Sequence, residues 1–247
     1  MTALGAVPDV DPTFEILLPR PADAVWLAFR DPELVKRWYG WEFDGLDEEI
    51  KALFVEGAVA DRDSRSIHIG GHLFTFIPAE QNTHLKVARR APRAADDEID
   101  WAAQYDDIEE SWIGFLQQFK FSLARHPQER RRTVFRAGVA RSGMPTPLGD
   151  LLGLATAART PAGEPYLADV GPGERLEGEI WYRTTLQLGL TVDGWGDGLL
   201  VLAHPPSAPE PFAYATMTLT AYGLDDAAHA DLEARWGKWW SARYEED

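Results

Sequence analysis

His68 and His72 lie on either side of Gly70-Gly71, and His84 follows in the next strand-like run, a grouping whose imidazoles could bind zinc or move protons near neutral pH. Alternating strand positions would let the three rings meet. No carboxylate accompanies them at ligand spacing, however, and a zinc site also needs an ordered outer shell to hold each imidazole, so no metal ligands are assigned. Glu49, Glu56, His68 and His84 are the candidates for a general base if one of them faces an apolar cavity, because burial shifts such groups away from their usual pKa. Surface placement is the simpler expectation for all four. Arg130, Arg131 and Arg132 form the one basic run. They suit an anion, but in so acidic a chain they are expected to meet carboxylates at a solvated junction. The chain has no cysteine, which excludes disulfides, thiol nucleophiles and thiolate metal sites. No nucleophile elbow, P-loop or dinucleotide fingerprint is present: Gly196-Asp197-Gly198 reads as a turn, and Gly171-Pro172-Gly173 does not lead from a strand into a helix. No catalytic residue, cofactor or metal follows from these residues.

The composition is richer in packing groups than in chemistry. In 247 residues, 45% are apolar and ten are tryptophan, grouped at Trp38 and Trp41, Trp181 and Trp195, and Trp236, Trp239 and Trp240. A formal charge of -16 repels phosphate backbones and anionic lipid, so neither nucleic acid nor membrane is expected as a partner. The N-terminal stretch MTALGAVPDVDPT has no basic segment followed by an apolar one, and no run reaches the roughly 18 apolar residues of a membrane span. The expected location is cytoplasmic.

The stretch from Tyr105 to His126 positions everything else. Ile108, Trp112, Phe115, Leu116, Phe119 and Leu123 recur at steps of three and four, which predicts one broad apolar stripe on a long helix that needs a sheet to lie on. Asp106 or Asp107 is expected to cap its start, and Pro127 lies past its end. Ahead of it come a strand over Thr13–Leu18, a helix over Ala22–Phe29, a second short helix from Pro32, and strand-like runs at 49–55, 66–70, 72–77 and 83–90, with a tight turn at Gly70-Gly71. The order then recurs. A strand at Thr133–Val139, a helix over Thr146–Ala158, a loop over Arg159–Pro172, strands over 176–190, 199–204 and 213–221, and a helix from Asp225 to Tyr244 complete the chain. Trp236 against Trp112 also aligns Leu232 with Ile108, Trp239 with Phe115 and Trp240 with Leu116, which predicts an internal duplication.

Two segments, FEILLPRPADAVWLAFRDPELVKRWYGWE (14–42) and DDIEESWIGFLQQFKFSL (106–123), resemble the START-like SRPBCC superfamily, in the branch similar to the C-terminal domain of the activator of heat-shock protein 90 ATPase. The resemblance implies an α+β helix-grip fold, a curved antiparallel sheet around a long C-terminal helix, duplicated in tandem as domains 1–128 and 129–247. The second domain is the more divergent, lacking an equivalent of the family's PE-L-W segment. Such folds hold an apolar cavity between sheet and helix, and this one is expected to bind a small hydrophobic molecule without transforming it, or else a protein partner. The alternative implied is a cyclase, aromatase or hydratase-type cavity enzyme. The ligand-binding residues implied are Trp38, Tyr39, Trp41, Phe54, Phe74, Trp112 and Phe119. No cofactor is expected, and the chain is read as a monomer that forms its own pseudo-dimer, or as a homodimer.

Overall fold

Apolar side chains alternate at Phe14, Ile16 and Leu18 and place the first strand, β1 (Phe14–Leu18), with Ile16 and Leu18 buried. The structure is a computed structural model that describes residues 13–89, 101–141, 146–206, 208 and 210–246, and for 101–106 the backbone alone. The N-terminal arm and most of the polar stretch before the long helix lie outside the described residues. Among these, no helix is long and apolar enough to cross a membrane.

Two units make up the chain, one of residues 1–99 and 118–127, the other of residues 100–117 and 128–247. In the first unit β1 leads into α1 (Ala22–Arg30) and α2 (Pro32–Val35); Asp31 caps α2 by accepting from the Glu33 N–H at 3.0 Å, and Pro32 occupies its first turn. The expected strand at 49–55 is instead helical: α3 (Leu46–Ile50) runs into a π-helical turn over Lys51–Glu56. Leu46, Ile50 and Phe54 are four apart and all buried, a helical stripe that outweighs the β-branched look of the local sequence. A meander follows, β2 (Val59–Asp61), β3 (Ser66–Ile69), β4 (His72–Ala79) and β5 (Asn82–Arg89). Gly70 and Gly71, at φ 53° and 81°, make the tight turn between β3 and β4, a conformation only glycine adopts twice in succession without strain. The sheet order is β1-β5-β4-β3-β2, all antiparallel, so the first strand pairs with the last of the meander.

The long helix, α4 (Trp101–Arg125), starts ahead of the expected caps at Asp106 and Asp107, because Trp101 to Gln104 are acceptable helix residues with no breaker among them. Residues Asp100–Gln117 group with the second unit and Gln118–Pro127 with the first. In the second unit come β6 (Arg131–Ala140), α5 (Leu148–Leu152), β7 (Pro165–Val170), β8 (Glu174–Arg183), β9 (Gln187–Val192), β10 (Gly198–Ala203), β11 (Tyr214–Tyr222), α6 (Asp226–Ser241) and β12 (Tyr244–Glu246). The helix expected over Thr146–Ala158 stops early, at Gly153 (φ 90°), and resumes only as a 3-10 turn at Ala157–Arg159. The expected loop after it contains strand β7. The last helix ends at Ser241, so Tyr244 belongs to β12 rather than to the α6 stripe.

The seven-stranded sheet runs β12-β6-β11-β10-β9-β8-β7. Here too the opening strand, β6, pairs with the last strand of the meander, with Thr133 opposite Thr220. Strand, helix, antiparallel meander and long helix, with the first strand closed against the last, therefore occur twice. The fold is α+β with helix-grip order in tandem. The second copy has one more meander strand, plus β12 on the far side of β6. Its core joins Leu232, Trp236 and Trp240 of α6 to Leu190, Val192, Leu200, Leu219 and other inward residues of the sheet.

Candidate functional site

In the first unit the sequence-selected aromatics come together around Phe29 of α1. Its ring lies 4.8 Å from Trp38, 5.4 Å from Phe74, 5.9 Å from Phe119 and 6.4 Å from Phe54, centroid to centroid. Trp38 in turn lies 4.8 Å from Phe119 and 5.7 Å from Phe54, and Tyr39 lies 4.8 Å from Phe54. The angles are tilted or edge-to-face, the arrangement aromatic quadrupoles favour. Trp38, Tyr39, Phe54, Phe74 and Phe119 are all buried, so here they form a packed wall whose faces are occupied by one another. Trp41 is half-buried beside Phe43 at 6.1 Å. Trp112 is buried, 6.1 Å from Phe115, and groups with the second unit. Phe29 itself, the hub, was not among the sequence candidates, although its place on the Val25, Trp26 and Phe29 stripe points to it.

Polar anchors in this wall are few. The Trp38 indole N–H donates to the Ala28 carbonyl at 3.1 Å, and the Tyr39 hydroxyl donates to Glu49 at 2.6 Å. Burial, with the Glu49 carboxylate beside it, pushes the Tyr39 phenol far above its ordinary pKa, so it stays a donor. Glu49 is exposed and engaged in this bond. Glu56 pairs with Lys51 at 3.1 Å, and His84 with Glu15 at 2.6 Å across β1 and β5. His72 is buried with its Nδ1 3.1 Å from the Gly70 carbonyl. Arg132 meets Asp226 at 2.6 Å, the carboxylate contact expected of the basic run.

The second unit holds the polar features that sequence reasoning missed. Glu174, at the start of β8, accepts from the indole N–H groups of Trp195 (2.8 Å) and Trp236 (3.1 Å) and from the Arg235 guanidinium, which also bonds Asp231 at 2.8 Å. This carboxylate ties α6 to the sheet. Tyr182, buried, donates to the Gln187 side-chain oxygen at 2.6 Å, and the Gln187 amide donates to the Glu110 carboxylate at 2.7 Å and to the Glu110 carbonyl at 2.6 Å. Partial burial raises the Glu110 pKa, opposed by the Gln187 bond, and burial pushes the Tyr182 phenol well up.

A different pair of groups has nothing to bond. Trp240 and Tyr244 stack at 4.2 Å with 16° between their planes, both fully buried, and neither the Trp240 indole N–H nor the Tyr244 hydroxyl has a hydrogen-bond partner among the described residues. Burial pushes the Tyr244 phenol up to about 12, so it too remains a donor. The Trp239 indole N–H and His229 Nε2 are likewise unpartnered and buried. An unmade hydrogen bond in a core costs about 1–3 kcal/mol, and buried polar groups in folded proteins are as a rule bonded.

No family model matches this chain, and no curated protein matches it. Three solved structures are similar over most of their length: the di-domain ARO/CYC BexL from the BE-7585A biosynthetic pathway (13% identity, 90% of this chain and 87% of that one, TM-score 0.33), DynU16 from the dynemicin biosynthetic locus (17%, 93% and 94%, 0.26), and the di-domain ARO/CYC StfQ from the steffimycin biosynthetic pathway (10%, 91% and 90%, 0.33). None of them brings in the heat-shock-protein-90 activator branch. The helix-grip assignment stands on the strand pairing described above.

Proposed function

We propose that this protein takes up a small, largely apolar molecule bearing carbonyl or phenolic oxygens, the kind of compound polyketide chemistry makes. The stacked Trp240 and Tyr244 donors carry this reading. A purely aliphatic ligand would leave them unmade, whereas a ketone or phenol oxygen would satisfy them inside an apolar shell. The aromatic residues Trp38, Tyr39, Trp41, Phe54, Phe74 and Phe119 are proposed as a separate apolar ligand surface within the first unit, and Trp112 as part of the second unit's own. The probe is 1,8-dihydroxyanthraquinone, followed by quenching of tryptophan emission, with native mass spectrometry of the purified protein as an independent readout. Saturable binding is expected, weakened about fivefold in Tyr244→Phe, as one net hydrogen bond of about 1 kcal/mol requires. The variant should also stabilise the ligand-free protein. Absence of binding in the wild type, or equal binding by the variant, overturns the reading and leaves a protein-interaction role.

A second reading, a cyclase or aromatase-type enzyme, is favoured by the chain from Tyr182 through Gln187 to Glu110. A carboxyl with a raised pKa, linked to a buried phenol, suits it to proton transfer at a carbonyl or enol. Ring closure of a polyketide is the reaction to assay first. Glu110→Gln should abolish turnover while leaving anthraquinone binding intact if this reading holds; wild-type protein that binds but never transforms such a substrate removes it.

A further inference from the structure

We propose that the first unit carries a separate pocket for the carboxylate group of a small acid, at the start of α1 and independent of the apolar ligand proposed above. A cavity of about 120 Å³ is lined there by Ala22, Asp23, Trp26, Arg62, Arg65 and Phe76. The turn between β2 and β3 presents both arginines. The Asp61 side chain accepts from the backbone N–H groups of Asp63 (2.9 Å) and Ser64 (3.3 Å), the Ser64 and Ser66 hydroxyls bond at 2.8 Å, and the Arg65 carbonyl accepts from the Phe76 N–H at 2.9 Å. Arg65 itself is held in the left-handed region at φ 49°, a conformation that costs a non-glycine residue energy and that persists where surrounding bonds impose it. The Arg62 guanidinium lies over the Trp26 indole, 5.6 Å from its centroid, and Trp26 is braced edge-on by Phe76 at 5.4 Å.

Neither guanidinium meets a carboxylate among the described residues, in a protein of net charge -16. Nearby lysines do: Lys36 pairs with Asp47, Lys51 with Glu56 and Lys86 with Glu15. Both arginines are exposed on one concave surface with no carboxylate partner among the described residues, and the planar fork of arginine fits a carboxylate in particular. Ala22 and Asp23, the first two residues of α1, belong to the same lining, and that helix end has no side-chain cap. Size and charge narrow the ligand. The cavity's volume is of the order of the roughly 150 Å³ cavity that takes up a benzene ring, so a carboxylate with a few carbons is matched to it in size. Asp23 leaves the lining with one net positive charge, which matches a monoanion and disfavours a dianion.

The test is titration of the ¹⁵N-labelled full-length protein with sodium propionate, sodium malonate and sodium chloride at matched ionic strength, read at the arginine Nε–H signals. Arg62→Lys and Arg65→Lys assign the two signals. Propionate should shift both saturably, more tightly than malonate, while chloride does neither. Arg65→Lys keeps the charge but loses the fork, and should raise the propionate Kd about tenfold, or about 1.4 kcal/mol, with an unchanged thermal transition. Asp23→Asn should bring malonate level with propionate. Shifts that follow ionic strength alike for all three salts, or a propionate preference untouched by Asp23→Asn, overturn the proposal.

Discussion

His204 uses both ring nitrogens: Nε2 accepts from the Leu148 N–H at 3.1 Å and Nδ1 donates to the Tyr214 carbonyl at 3.1 Å. The neutral form is thus built into the start of α5, and burial lowers the ring's pKa below its ordinary 6.5. Above that value the folded and unfolded chains bind the same number of protons here, so nothing is lost. As pH falls from about 6.5 toward the folded value, the unfolded chain takes up a proton that the folded one refuses, and stability drops. Urea denaturation from pH 7.5 to 5 should show this loss in the wild type and a shallower dependence in His204→Asn; equal slopes would remove His204 as its source. Glu174 obeys a different logic, because the Trp195 and Trp236 indole N–H groups that it accepts from have no other acceptor among the described residues. Glu174→Ala should destabilise by about 2–4 kcal/mol, the cost of leaving two buried indole donors unbonded, while Glu174→Gln, which keeps an acceptor oxygen, should cost clearly less. A denaturation midpoint indifferent to Glu174→Ala would mean α6 is held by its apolar stripe alone.

At the scale of elements, α4 carries the largest single packing contribution that the sequence announced. Trp112, Leu116 and Phe119 are buried, as their spacing predicts, whereas Ile108, Phe115 and Leu123 are only half-covered and Gln118, Phe121 and Ser122 are buried instead. Trp112→Ala should cost about 3–5 kcal/mol in chemical denaturation; a change under about 0.5 kcal/mol would place Trp112 at the surface. Strands with clear alternation or glycine turns were legible, β1, β3, β4, β5, β10 and β11 among them. Local pattern failed where one apolar run serves two periods: KALFV reads as a strand yet continues the stripe of Leu46 and Ile50. It also failed at β7, where Pro165 and exposed Leu167 hide an edge strand. The aromatic group was legible as a list of residues because large apolar side chains advertise burial. The Glu174, Tyr182 and Tyr244 features were not, because each joins residues far apart in the chain through single polar atoms, and no spacing encodes that.

At the scale of the whole molecule, division at the expected boundary of 128/129 would separate the second unit from residues 100–117, which group with it. A fragment of 129–247 should therefore be markedly less stable than one of 100–247, which restores Trp112, Leu116 and the Glu110 bond to Gln187; equal melting of the two fragments would return Asp100–Gln117 to the first unit. The duplicated topology bears equally on assembly. In each copy the opening strand waits for the final strand of its meander: Phe14 pairs with Val87, and Thr133 with Thr220. Neither sheet can close from local contacts alone, which makes both slow steps by the measure of sequence separation. During synthesis the first sheet can close once Arg89 has left the ribosome, long before β11 exists. The leading turns of α4 must then stand exposed, their apolar stripe uncovered, until the rest of the second sheet is made. That interval, rather than the finished protein, is where this chain is most open to aggregation and to a chaperone's attention.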